Sequence, residues 1–205
     1  MAKHLTKDEN QIHTMGTLLA AGEDKSWKVR LAFARNFAEL ANAFGNELTD
    51  NNLIQTFTLL LNDQEAEVKQ AAILSLRTCL SQLSVQKTCS LILPTLTNAY
   101  AESTQQFKCG TSTALCEMST LVGKDFSHQK IMPILTELIK DESSEVRLSV
   151  VEGLHKIATV IGEEIFSAPF IAQLTQLTKD TQWRVRMVVF GLIGELAKSF
   201  GKEIF

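Results

Sequence analysis

The chain has 205 residues, 45% of them hydrophobic, with three Pro, ten Gly and a formal net charge of -3. That composition suits a helical chain with short turns, and the acidic balance argues against a nucleic-acid partner for the chain as a whole. No apolar run approaches the length of a membrane span, and Met1 to Asn10 is too polar for a signal peptide, which points to a soluble protein of the cytoplasm with access to the nucleus.

The predicted elements repeat every 39 residues. After a polar tail, 1–10, apolar stripes at helical spacing predict first helices near 11–22, 50–62, 88–101, 128–140 and 166–179. Second helices follow near 26–44, 65–83, 104–122, 144–161 and 182–200, giving repeats of 11–45, 46–84, 85–123, 124–162 and 163–205. A fixed period of this length marks a stack of like supersecondary units, each burying its apolar face against its neighbours. The expected fold is therefore all-α, a right-handed α-solenoid (superhelix) of five antiparallel helix pairs forming one array over 11–205.

Several columns carry the register. Val29, Val68, Phe107, Val146 and Val185 lie inside the start of each second helix. Leu18, Phe57, Leu96, Leu135 and Leu174, with Phe37, Leu76, Leu115, Leu154 and Ile193, are the inward slots. Gly45, Gly123, Gly162 and Gly201 close second helices in the left-handed conformation that glycine accepts, with Ser84 in the same column. Ser143 or Ser144 is the expected N-cap of the fourth second helix. Gly110, inside the third second helix, costs about 1 kcal/mol of helix propensity and marks that unit as the most deformable.

Asp24, Asp63, Glu102, Asp141 and Asp180 precede each second helix, and Arg30, Lys69, Lys108, Arg147 and Arg186 follow six residues later. The carboxylate closes the turn at the positive end of the second helix, and the cation reaches the equivalent carboxylate of the adjacent unit, forming a ladder. Paired helices with this Asp-to-Arg spacing resemble the HEAT repeat.

The turns resemble a narrower family. Asp24-Lys25-Ser26-Trp27-Lys28-Val29-Arg30, the stretch from Asp63 through Glu65 and Glu67 to Lys69, Asp141-Glu142 through Glu145 to Arg147-Leu148, and Trp183-Arg184-Val185-Arg186 are similar, in the same order, to turns of the scaffold subunits of protein phosphatase 2A. Ile92-Leu93-Pro94 and Ile161-Gly162 fit the same register, and the likeness covers 11–205. Lys28 stands where that family usually has arginine, and Gly16 where it often has proline. The resemblance implies a non-catalytic scaffold whose intra-repeat turns hold a phosphatase catalytic subunit and interchangeable regulatory (B-type) subunits. It implies that Lys25, Ser26, Trp27 and Lys28 face the regulatory subunit, with Glu65, Glu67, Glu142 and Glu145 along the ridge. It implies that Gln182, Trp183 and Arg184 open the catalytic-subunit site.

The residues bear on this independently. Trp27 and Trp183 are the only tryptophans, each in a turn and each followed by a basic residue. Tryptophan and arginine dominate binding hot spots, although a turn tryptophan folded over its neighbour as local packing fits the same pattern. An enzyme needs convergent polar groups, and His4, His13, His128 and His155 fall in unrelated slots, so catalytic residues, metal and cofactor are all expected to be none. Cys79, Cys89, Cys109 and Cys116 form no CxxC pair and read as buried small hydrophobes. The second helices hold eleven Lys or Arg against seven Asp or Glu, too thin a basic surface for a nucleic-acid cradle. A transport receptor built of HEAT repeats is the remaining alternative. The last helix, with Val189, Ile193 and Phe200, is expected to lack a covering neighbour and to drive end-to-end self-association.

Overall fold

The structure, a computed structural model, describes residues 14–101, 103–165 and 168–201. It is all-α, and no strand occurs among the described residues. Helix pairs follow one another in the expected register, an α-solenoid of the HEAT type. First helices are α1 (Met15–Gly22), α3 (46–61), α5 (85–99), α7 (124–138) and α9 (Ala168–Leu177). Second helices are α2 (Trp27–Phe44), α4 (Ala66–Cys79), α6 (Gln105–Val122), α8 (Ser144–Ile161) and α10 (Trp183–Phe200). The chain divides into two compact units, one ending at Thr111 and the other beginning at Ser112, so the division falls within α6 of the third repeat.

The middle first helices begin earlier than the apolar stripe suggests. α3 runs from Asn46–Leu48 through a π-type segment, Thr49–Leu53, into Ile54–Leu61. α5 (Val85–Lys87, Thr88–Ile92, Leu93–Ala99) and α7 (Lys124–Phe126, Ser127–Ile131, Met132–Leu138) repeat that construction. Each π segment opens on a fully buried hydroxyl residue, Thr49, Thr88 or Ser127. Thr49 Oγ1 donates to Ala41 O at 3.5 Å and Ser127 Oγ to Ser119 O at 3.3 Å, tying each first helix to the end of the preceding second helix. Thr88 Oγ1 has no partner among the described residues, and the equivalent carbonyl, Leu80 O, accepts from Leu83 N in a 3-10 turn.

That difference begins at Ser84. Gly45, Gly123, Gly162 and Gly201 all take positive φ, between 72° and 89°. Their ψ values correct the expected left-handed cap: Gly45 sits at 172° and Gly123 at 178°, an extended mirror region open essentially to glycine alone. Serine cannot follow. Ser84 stays at φ -68°, α4 ends early at Cys79, and a 3-10 turn, Leu80–Gln82, completes the connection. Ser84 Oγ instead accepts from Lys87 N and caps α5.

In the first unit the core centres on Phe37, whose ring stacks on Phe57 at 3.8 Å between centroids and meets Phe33 edge-on at 6.0 Å. In the second, Leu135, Val150, Leu154, Val185 and Val189 are buried together with Leu174. Leu18 and Ile193, two of the ten inward slots, are only half-buried, while Phe37 and Leu174 of the same helix pairs are buried. Ser143 occupies the N-cap position of α8, but its side chain makes no capping bond there. Cys79 and Cys116 are buried, while Cys89 and Cys109 are half-buried. Burial pushes the Cys79 and Cys116 thiols up to about 12, which leaves them inert.

Gly110 has a packing reason. A Cβ there would lie 2.8 Å from Ile73 Cγ2 on α4, a stiff branched side chain that cannot swing aside. Gly153 plays the same part in the second unit, where a Cβ would overlap Cys116 Sγ. Gly153→Ala should therefore destabilise by about 1–3 kcal/mol despite alanine's better helix propensity. Cys116→Ala in the same chain should recover most of that loss, read as the urea midpoint of each variant.

Candidate functional site

Four turns carry the residues singled out for binding, two in each unit. In the first unit the Arg30 guanidinium joins them. Its Nη1 donates to Asp24 O at 2.8 Å and Lys25 O at 3.3 Å, closing its own turn. Its Nε and Nη2 then fork onto Asp63 Oδ2 and Oδ1 at 2.6 and 2.9 Å. The second unit repeats the device. Arg147 Nη1 donates to Asp141 O at 2.8 Å and Glu142 O at 2.9 Å, while Nε and Nη2 take Asp180 Oδ2 and Oδ1 at 2.7 and 2.9 Å.

The aspartate has a second task. Asp24, Asp63, Asp141 and Asp180 each accept from the backbone N–H two residues on, at Ser26, Glu65, Ser143 and Gln182. This Asx turn sets the chain's entry into the second helix, so the carboxylate shapes the loop ahead of the helix and does not cap it directly. Lys69 keeps the ladder slot without a fork among the described residues, and its expected partner Glu102 lies outside them. Arg186 holds its own turn through Asp180 O and Thr181 O at 2.6 and 3.1 Å.

At Asp63 burial pushes the carboxyl up, but the hydrogen bonds from Arg30 and Glu65 N–H outweigh it and hold the group below its ordinary range. At Asp180 the Arg147 hydrogen bond is the largest influence, against a smaller desolvation cost, and the carboxyl is again held low.

With the ladder fixing each turn, the residues between its two members are displayed. Lys25, Ser26 and Lys28 are exposed and Trp27 is half-buried, with Lys28 Nζ 5.9 Å from the Trp27 ring centre. Trp183 is 58% exposed, and the Arg184 guanidinium lies 5.8 Å from its ring centre. Both arrangements suit a cation–π contact that keeps the ring presented. Both tryptophans are the first residues of their helices, α2 and α10, one step past the turns in which the sequence placed them. Glu65, Glu67, Glu142, Glu145 and Gln182 are exposed. Glu145, Gln182, Trp183 and Arg184 come together, with Ser144 and Leu148, around a niche of about 270 Å³. The Trp27 and Trp183 turns belong to different units and are separate candidates.

One further feature was not legible in the residue pattern. A groove of about 810 Å³ runs along α2 and α4, lined by Arg35, Glu67, Gln70 and Leu74 among others. Leu74 is 49% exposed, and Gln70 Oε1 is buried without a partner among the described residues. An exposed leucine on an otherwise polar helix face was the available signal.

A HEAT repeat family model matches residues 131–161, from the end of the α7 π segment through α8. The beta isoform of the human 65 kDa regulatory (A-type) subunit of serine/threonine-protein phosphatase 2A is 32% identical over 93 residues, which cover 43% of this chain and 16% of that protein. The crystal structure of Cex1p superimposes on 95% of this chain and 38% of that one, with a TM-score of 0.79 at 14% identity. A designed armadillo repeat protein in complex with the peptide (KR)4 superimposes on 95% of this chain and 88% of that one, with a TM-score of 0.65 at 18% identity. The structural likenesses establish the fold, a HEAT/armadillo-like helical repeat, and the curated relative adds a partial sequence kinship. Among the described residues no cluster of His, Cys, Asp or Glu is arranged to hold a metal ion, and no helix is long and apolar enough to cross a membrane.

The low carboxyl pKa values set the sign of a pH effect. Each fork contributes stability that is complete above the ordinary aspartate pKa, near about 4, and is lost as pH falls through the lower folded value. Stability should drop on acidification below about pH 5. Asp180→Asn should lower it by about 2–3 kcal/mol at neutral pH, with a flatter acid limb, as measured by urea unfolding across the pH range.

Proposed function

We propose that this chain is a non-catalytic, protein-binding solenoid of the phosphatase 2A scaffold type. In this reading residues 11–205 act as one array in the cytoplasm, with access to the nucleus. The turn at Gln182, Trp183 and Arg184 takes the phosphatase catalytic subunit. The turn at Lys25 to Lys28 takes a regulatory, B-type subunit, and Glu65, Glu67, Glu142 and Glu145 extend the ridge within their units. The chain spans 16% of the length of its curated relative, so it would supply part of each surface.

The observation that carries this is the Trp183–Arg184 pair. A tryptophan used as local packing would be covered, yet its ring is more than half exposed beside a niche, with a guanidinium across it and Glu145 on the rim. An amphipathic aromatic with a neighbouring cation matches the composition of protein-binding hot spots. The partner chain, in this reading, supplies the phosphatase chemistry.

Trp183→Ala combined with Arg184→Ala should weaken capture of a phosphatase catalytic subunit by about 2–4 kcal/mol while helical content stays unchanged. Unchanged capture with a lower melting temperature would assign Trp183 to packing. The groove along α2 and α4 favours a second reading, a solenoid that binds an extended peptide, as in a transport receptor. Its exposed Leu74 offers apolar area, and Gln70 Oε1 offers an unused acceptor for a peptide N–H. Loss of binding on Leu74→Glu, with the Trp183 variant unaffected, would decide for that reading.

A further inference from the structure

The second repeat reverses the polarity of two neighbouring columns. Gln70 stands where the other repeats carry Leu31, Cys109, Leu148 and Met187. Leu74 stands where they carry Arg35, Thr113, Glu152 and Gly191. The two positions lie one turn apart on α4, so both changes fall on one face of that helix. Both residues line the groove of about 810 Å³.

Neither change serves packing within the repeat. Leu74 leaves apolar surface in water, and Gln70 Oε1 is buried without a partner among the described residues. The first calls for an apolar contact and the second for a hydrogen-bond donor. Glu67, one turn before Gln70 on the same face, adds a third demand. It is exposed, lines the same groove and makes no ion pair among the described residues. On the α2 wall Arg35 and Glu39 lie one turn apart and offset one another, which leaves Glu67 as the uncompensated charge of the lining.

The spacing of these three residues describes a ligand. Glu67 and Leu74 are seven residues apart, about 10 Å along the helix axis, with Gln70 between them. A polyproline II segment repeats every three residues with a rise of about 3.1 Å, so residues i and i+3 project from one side about 9 Å apart. Its backbone makes no internal hydrogen bonds, and the N–H groups between those residues are free to donate. The groove follows α4 from Ala66 to Thr78, about 18 Å, the length of about six such residues.

We propose that this groove takes an extended peptide segment carrying a lysine or arginine and, three residues away, a large aliphatic side chain. The cation pairs with Glu67 and the aliphatic side chain covers Leu74. A peptide N–H between them donates to the Gln70 amide oxygen, turned outward, and supplies the hydrogen bond that the protein's own groups do not. This rests on the reading of the groove as a peptide site and specifies what the peptide carries. It is independent of the phosphatase reading.

Fluorescence anisotropy with the whole chain tests it. The probes are fluorescein-labelled Gly-Lys-Ala-Ala-Leu-Gly and the same residues in reverse order, because either chain direction presents the same pair of side chains. At least one should bind saturably. Replacing its Lys with Glu, or its Leu with Ser, should weaken binding about tenfold or more. On the protein, Glu67→Lys should weaken the Lys peptide about tenfold and strengthen the Glu peptide, a reversal that loss of folding cannot produce. Gln70→Leu, which restores the residue type of its column, should weaken binding about fivefold without lowering the melting temperature. Equal affinity for the Lys and Glu peptides, with both lost on Leu74→Glu, would overturn the proposal and leave the peptide groove standing. Lys-peptide binding untouched by Glu67→Lys overturns it as well. Binding by none of the peptides would overturn the proposal and the peptide groove together.

Discussion

A single guanidinium ties together three pieces of backbone in each unit, and the arrangement of neighbouring turns follows from it. Arg30 binds the carbonyls of its own turn and, with the remaining edge, the aspartate of the next. That aspartate is already committed to the N–H at the start of its own helix. The fork therefore couples one turn's shape to the next turn's position. Only arginine offers enough donors in a rigid plane to do both, and Lys69 in the same column makes no clamp onto its own turn among the described residues. Side-chain exposures of 18% and 6% at Arg30 and Asp63 place the pair between the surface and buried regimes, so its energetic worth is modest and its geometric effect large.

Between the turns, helix packing is governed by which positions can do without a side chain. Gly110 and Gly153 let second helices approach at Ile73 and at Cys116, and Ser112 and Ser149 close a similar approach with a hydroxyl pair at 2.7 Å. Gly110 and Ser149 share one column and Gly153 lies one turn on, while the residues that meet them, Ile73, Ser112 and Cys116, vary in size. A small residue on one side of each contact makes room for the side chain opposite, as dense packing requires.

The period, the helix pairs and the aspartate-to-arginine ladder were legible because each repeats with a physical demand attached: burial, a turn, a charge partner. Three features were not. The π segments rest on Thr49, Thr88 and Ser127, polar residues that break the apolar stripe and so conceal helix that precedes it. The glycine terminators were recognised for positive φ, but the ψ value depends on the direction in which the next helix leaves, which no single residue encodes. Val189, expected on the uncovered side of α10, is fully buried, and Phe190 beside it is 60% exposed; the two are equally apolar, and only the rotation of the helix against α8 tells which is covered. At the candidate site, the composition of the turns was readable. The niche that gathers Glu145 and Trp183 was not, since it depends on how Arg147 draws two turns together.

The ladder also explains how one fold can offer different surfaces at successive turns. Its polar groups are spent on backbone and on each other, so the aspartate and arginine are largely withdrawn from any partner. The residues between them carry almost no structural duty: Ser26, Glu65, Ser143 and Gln182 contribute a backbone N–H to the Asx turn, a bond any residue but proline supplies. Those positions are free to read Lys25 and Lys28 at one turn, Glu65 and Glu67 at the next, Glu142 and Glu145 in the second unit, and Trp183 with Arg184 beside them. A change of sign or size there alters what the turn can bind while the fork beneath it holds the loop in place. On the proposed reading, stacking and recognition fall to different residues of the same seven-residue stretch, and selection on one need not disturb the other.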